Sequence, residues 1–202
     1  SGALLGCGGD DSNLPKALPC SPDLATASDP SAGASFNPGH MLCVQVQMPQ
    51  ADFDRLRVEN RFGVPEDEVI AELLSFLADK CTESYPAKFN WYTASVSVDG
   101  AELEDVGIRK KGFLGSVAGD GGHKPSIKLK TDKHTTGQLL GGTERLTLNN
   151  NLQDATRMRT CLAYQVFTAA GHPAPRCNLA NVMLNDKPLG AYVHVESVKK
   201  RL

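Results

Sequence analysis

The chain has 202 residues, of which 41% are apolar and 22% charged, with a net charge of −2. That is one sizeable domain of globular composition, and it excludes a chain disordered throughout or a bulk polycation made for nucleic acid. No apolar run approaches the roughly 20 residues of a membrane-spanning helix.

Residues 1–40 hold eleven Gly or Pro, four Asp, one Lys and no Arg. Such a stretch builds no core, so it reads as a leader, with the domain at 41–202. Leu4-Leu5-Gly6-Cys7 has the form of a bacterial lipobox, in which two apolar residues and a small one precede a lipid-bearing Cys. A chance Cys7 in a flexible tail is the plainer alternative. The lipobox reading places the protein outside the cytoplasm, anchored to a membrane through Cys7 but not spanning it.

Residues 42–48 alternate apolar and polar as a half-buried strand does. A short helix is expected over 51–59, with Phe53 and Leu56 inward. A second helix from Pro65 carries Val69, Ile70, Leu73, Leu74 and Leu77 as its buried stripe. Residues 88–98 return to period two, Asp99-Gly100 is a tight hairpin turn, and 101–111 pairs back antiparallel. The 112–123 stretch contains five glycines and reads as a flexible loop. In 125–131, Ile127 and Leu129 face one way and Ser126, Lys128 and Lys130 the other. A strand at 145–148 leads to Asn149-Asn150-Asn151. Asp154 is the expected N-cap of a helix to about Ala170, stopped at Gly171. Strands 178–184 and 189–196, joined near Asn185-Asp186, close the domain. With about six strands and three helices, the fold class is α+β, built on an antiparallel sheet.

In an oxidising compartment Cys43–Cys81 and Cys161–Cys177 are the pairings to test first; Cys161 as a small buried hydrophobe is the alternative. No CxxC spacing supports a zinc site, and no histidine has a partner at ligand spacing. Seven Lys or Arg lie within 109–133 against Asp120 and Asp132. A strand, a glycine-rich loop and a lysine-bearing strand can set backbone N–H groups and an ammonium against phosphate oxygens. No aromatic residues interleave with these cations as a stacking platform would require, so nucleic acid is not expected.

From about residue 42 the chain resembles the N-terminal part of the spore coat protein CotH family of atypical secretory kinases. The matching words are Val-Gly-Ile-Arg-Lys-Lys-Gly (106–112), Lys-Pro-Ser-Ile-Lys-Leu-Lys (124–130), Leu-Thr-Leu-Asn-Asn-Asn (146–151), Ala-Gly-His-Pro-Ala-Pro-Arg (170–176) and Leu-Asn-Asp-Lys-Pro-Leu-Gly-Ala-Tyr-Val-His-Val-Glu (184–196). The resemblance implies a kinase-like N-lobe that binds ATP with Mg²⁺ or Mn²⁺ and serves transfer of phosphate to protein Ser or Thr. It implies Gly112, Gly115 and Ser116 in a phosphate-covering loop and Lys130 on the phosphates, with Lys128 second. Val195, Glu196 and Ser197 become the hinge beside the adenine. For Asn149–Asn151, a helix-entry turn satisfying its own backbone is the plainer reading.

Two departures stand out. Arg159-Thr160 replaces the family's Arg-Glu, whose carboxylate could pair with the phosphate lysine, and Gly112-Phe113-Leu114-Gly115-Ser116 replaces its usual loop word. The chain ends at Leu202, just past the hinge, so catalysis by this stretch alone is not expected. The rival expectation is an extracytoplasmic lipoprotein that uses the lobe for binding, as a pseudokinase or surface module.

Overall fold

A computed structural model describes residues 36–37, 39–78, 88–112, 124–140 and 142–197. Cys7, Gly115, Ser116 and Cys81 lie outside them. The strands are β1 (Leu42–Gln47), β2 (Tyr92–Val98), β3 (Ala101–Lys111), β4 (Ser126–Lys130), β5 (Arg145–Asn149), β6 (Cys177–Leu184) and β7 (Lys187–Val195). The helices are α1 (Gln50–Val58), α2 (Val69–Ala78) and α3 (Arg159–Ala169).

The fold is α+β as expected, but the sheet is neither open nor purely antiparallel. It runs β1-β2-β3-β4-β5-β7-β6 and closes into a barrel, because β6 pairs in parallel with β1 (Leu42↔Ala180, Val44↔Val182, Val46↔Leu184). Every other neighbouring pair is antiparallel. Closure removes both sheet edges and creates an interior that alternate residues must fill. Val44, Val96, Ile108, Ile127, Leu148, Val182 and Tyr192 are among those that fill it, all buried. The Tyr192 hydroxyl donates to the Pro125 carbonyl at 3.0 Å, so the one phenol in this core is satisfied.

Both short hairpins follow from local chemistry. Asp99 (φ 51°) and Gly100 (φ 84°), like Asn185 (φ 47°) and Asp186 (φ 61°), adopt the left-handed pairs that match strand twist. The Asp99 carboxylate also accepts the Cys43 N–H at 2.9 Å and meets His40 Nε2 at 3.0 Å, tying the turn to β1. Helix α1 buries Phe53 and Leu56 against the barrel. Lys110, itself buried, donates to the Arg57 carbonyl near the end of α1 at 2.7 Å, where the helix dipole favours a cation.

The expected buried stripe of α2 is corrected. Val69 is buried, but Ile70, Leu74 and Leu77 are 57%, 61% and 53% exposed. The stripe presumes a flat sheet face to lie on; the sheet rolls up and fills its own interior, so no such face is offered. Asp154 is also not the N-cap. Arg157 takes a left-handed conformation (φ 57°) and breaks the helix there, so α3 begins at Arg159. The Asp154 carboxylate instead accepts from the Thr156 hydroxyl (2.6 Å), the Thr156 N–H (3.1 Å) and the Arg159 N–H (2.9 Å), fastening the turn that leads into α3. These bonds, the Thr156 hydroxyl first, hold its carboxyl below the usual carboxylate range.

Helix α3 buries no residue fully; Leu162, Val166 and Phe167 stay exposed. A disulfide, Cys161–Cys177, ties it to the start of β6 with Cα atoms 5.3 Å apart. This pairing bears out the first of the two readings of Cys161. Cys43 is disulfide-bonded as well.

Two outcomes are expected. Cys161 and Cys177 are 16 residues apart, and closing a ring of about that size stabilises by roughly 3 kcal/mol. In the Cys161→Ser/Cys177→Ser double variant, hydrogen exchange should speed up throughout α3 while the barrel strands keep their protection; equal protection of α3 would show that noncovalent packing suffices. Second, a Cβ on Gly107 would lie 2.5 Å from Cβ and Cγ of Lys133 and 3.1 Å from the Trp91 ring. Gly107→Ala should therefore cost about 1–3 kcal/mol in urea denaturation; an unchanged midpoint would mean that Lys133 swings away freely.

Candidate functional site

With Ile127 and Leu129 pointing into the barrel, β4 must turn Ser126, Lys128 and Lys130 outward. The registers then decide their neighbours. Arg109 of β3 stands opposite Lys128, and Lys111 opposite Ser126. On the other side Thr147 of β5 stands opposite Lys128, and Arg145 opposite Lys130. Two like-charged pairs, Arg109–Lys128 and Lys130–Arg145, thus face each other directly across the ladder, where like charges destabilise by up to about 1 kcal/mol each.

Some of this charge is compensated. Lys130 forms an ion pair with Asp132 at 3.5 Å. The Arg109 guanidinium lies 4.8 Å from the Trp91 ring centroid, with its buried Nε unpaired. Lys111 donates to Asn149 Oδ1 at 2.5 Å, a neutral partner. Lys128 has no hydrogen bond or ion pair with any described residue. Burial, then the neighbouring Arg109 and Arg145, pulls the Lys128 ammonium below the usual lysine range. Burial, then Lys128, lowers Lys111 to about 8. Burial, then Arg157, does the same to Lys124, whose ammonium donates to the Ala191 carbonyl at 2.7 Å. Arg109 is lowered by burial, then by Arg145 and Arg61. The ladder holds these cations close together and half out of water, as a strong anion site requires.

The expected hinge lies at one edge of this face. Val195 sits in the ladder between Thr147 and Cys177. Ser197 reaches back to Thr147, hydroxyl to hydroxyl, at 2.9 Å, so the structure brings Lys128 and Ser197 to opposite sides of one residue. Gly112, with φ 128°, ends β3 next to the Lys111–Ser126 pair. Lys130 stands one pair further from Gly112, its charge already partnered. Glu196 turns to Arg176, which binds its carboxylate through Nε (3.0 Å) and Nη2 (2.8 Å). That pairing, the side-chain hydrogen bond first, holds the Glu196 carboxyl below the usual range.

The asparagines divide. Asn150 and Asn151 make the expected entry turn: Asn150 Oδ1 accepts the Leu152 N–H at 3.4 Å, and the Asn151 carbonyl accepts the Asp154 N–H at 3.0 Å. Asn150 also stitches this turn to Ser126 and to the Lys124 carbonyl. Asn149 instead holds Lys111. Arg109, Lys111, Arg145 and Thr147 are the residues that period-two reading of one strand does not single out. A register for 101–111 against 125–131 would have found the first two.

The CotH kinase protein family model matches residues 113–202. Those residues are a CotH kinase family domain. No curated protein matches the chain. The matched span contains Lys128, Lys130, Arg145, Thr147, α3 and Val195 to Ser197, whereas Arg109, Lys111 and the rest of β1–β3 precede it. The CotH-matched span and the residues before it therefore contribute jointly to one cationic face.

A face built of repelling, half-buried cations has a measurable signature. The charge cost of Lys111 and Lys124 is fully present below pH 8 and is relieved as pH rises toward their unfolded value of 10.5. Stability in urea should rise between pH 8 and 10, on the order of 1–3 kcal/mol; a flat or falling profile would contradict the burial of these charges. Lys128→Met should likewise raise the melting temperature of the unliganded chain by roughly 2–4 °C, as removal of about 1 kcal/mol of repulsion implies.

Proposed function

We propose that this chain is the nucleotide-binding N-lobe of a CotH-like kinase, with the ATP phosphates on the β3–β4–β5 face. The observation that carries the reading is the direct opposition of Arg109 to Lys128 in the ladder, with Lys128 lacking any partner among the described residues. An anion converts this repulsion into attraction. Lys128 takes the role of principal phosphate lysine, supported by Arg109, Lys111 and Arg145. Lys130 stands second because Asp132 competes for it. Gly112 opens the phosphate-covering loop that carries Gly115 and Ser116, and Val195, Glu196 and Ser197 border the base. Among the described residues no group of three or more His, Cys, Asp or Glu converges. The proposal therefore assigns no residue of this lobe to Mg²⁺ or Mn²⁺, which would come with the nucleotide and offset phosphate charge. Transfer to a protein Ser or Thr further needs a base and metal-holding carboxylates, which the proposal does not place in this chain.

A second reading, an extracytoplasmic pseudokinase or binding module, is favoured by one observation. Lys111 is held by the neutral Asn149, and α3 opens with Arg159-Thr160 and carries no acid, so this helix supplies no carboxylate to a lysine of the face. The Cys161–Cys177 disulfide suits an oxidising compartment under either reading, and the second reading adds a lipid on Cys7.

Calorimetric titration of the chain with MgATP tests the first reading. Lys128→Ala should weaken binding at least tenfold and Lys130→Ala less than threefold. Loss confined to Lys130→Ala would exchange the two roles; no binding by the parent chain would remove the nucleotide-lobe reading altogether. Transfer of labelled γ-phosphate by the longest available form of the protein then separates kinase from pseudokinase.

A further inference from the structure

We infer that this lobe recognises its ligand as a linear polyphosphate and does not read the base. The inference rests on the nucleotide-lobe reading above and concerns its specificity. It follows from how differently the two halves of the candidate site spend their polar groups.

On the hinge side the side chains that could read an adenine, together with the Glu196 N–H, are already committed to the barrel. The Glu196 N–H donates to the Arg176 carbonyl at 2.9 Å. The Glu196 carboxylate accepts from Arg176 Nε and Nη2, and from the Arg176 N–H at 3.1 Å. Arg176 is fixed in turn by lying 4.5 Å from the Phe36 ring centroid, and Phe36 stacks on the buried His194. Val195 is buried between two partner strands, and the Ser197 hydroxyl is spent on Thr147. To offer Glu196 to a base, the ligand would have to break a bidentate ion pair and two backbone hydrogen bonds. Discrimination between bases comes from polar groups left unpaired by the wrong one, and here the Glu196 carboxylate, the Glu196 N–H and the Ser197 hydroxyl are paired before any ligand arrives.

On the phosphate side the opposite holds. Lys128 has no described partner, Arg145 stands across from another cation, and Arg109 keeps an unpaired buried Nε. Lys128 stands between Arg109 and the neutral Thr147, and no acidic residue stands opposite any of the three. Each ligand charge placed here gains attraction and relieves repulsion, so affinity should follow phosphate charge. Arg109 and Lys128 share one row of the ladder and Arg145 lies two residues along β5 from it, so the cations are spread over three strands, which suits a chain of phosphates better than a single one.

The test is a calorimetric series on the full 202-residue chain at one ionic strength, with inorganic tripolyphosphate, ATP, GTP, AMP and adenosine as probes. Tripolyphosphate, ATP and GTP should bind within threefold of one another, AMP at least thirtyfold more weakly, and adenosine should not compete. Lys128→Met and Arg145→Gln should each weaken all three polyphosphates by a similar factor of ten or more, with melting curves confirming that both variants fold. ATP binding tenfold or more tighter than GTP and tripolyphosphate would overturn the inference while leaving the nucleotide lobe intact. Failure of every polyphosphate to bind would overturn both. Weakening by Lys128→Met matched by Lys187→Ala, on the distant β6–β7 hairpin, would show charge attraction without a site and also overturn it.

Discussion

The parallel pairing of β1 with β6 is the constraint on which everything else in this molecule depends. Six antiparallel pairings would give a twisted open sheet; the seventh makes a cylinder with no edges and one interior. Once the interior is filled by alternate residues of each strand, the outward positions are fixed in direction and in neighbour. The cations of β3, β4 and β5 cannot relax away from one another without rotating a strand whose other face is Ile108, Ile127 or Leu148, all fully buried. The closure also redefines the folding unit. The CotH-matched span holds β4 to β7, but its apolar faces are covered only when β1, β2 and β3 complete the wall.

Rigid scaffolds can hold unfavourable arrangements, and that is where function concentrates. Here the stored cost is electrostatic. Packing within the barrel opposes repulsion among Arg109, Lys111, Lys128 and Arg145, and on the proposed reading a bound anion relieves it. The same barrel turns the polar groups of Glu196 and Arg176 toward each other. One face keeps its charges unsatisfied, whereas Glu196 of the adjoining segment is fully engaged by Arg176.

Much of the fold was legible in the chain. Alternation located the strands because half-buried strands have period two, and Asp99-Gly100 and Asn185-Asp186 marked turns because those residue pairs tolerate left-handed backbone. Closure was not legible. Leu42 and Ala180 meet across most of the domain, and no local pattern encodes a pairing at such separation. The α2 stripe misled for a related reason: helical periodicity reports that an apolar face exists, not that something covers it. At the site, Lys128 and Lys130 share a strand face and are equivalent by periodicity. Only the register, which gives one Arg109 and Thr147 and the other Gly107 and Arg145, tells them apart. Asp154 is legible as a helix-entry residue, but the left-handed Arg157 moves the helix start to Arg159, so Asp154 binds the first helical N–H from five residues away and not as the N-cap.

The Cys161–Cys177 bridge also bears on how the protein has to be made. A bond that forms only where thiols are oxidised makes the compartment of synthesis a determinant of structure. Chain produced in a reducing cytosol lacks the bond at Cys43 of β1 as well, and its α3 is held by an exposed, sparsely packed surface alone. Such material would pass tests of compactness and β-content, yet it would be a different molecule at the helix that follows the Lys111–Asn149 contact. Its history before purification would be written into that helix.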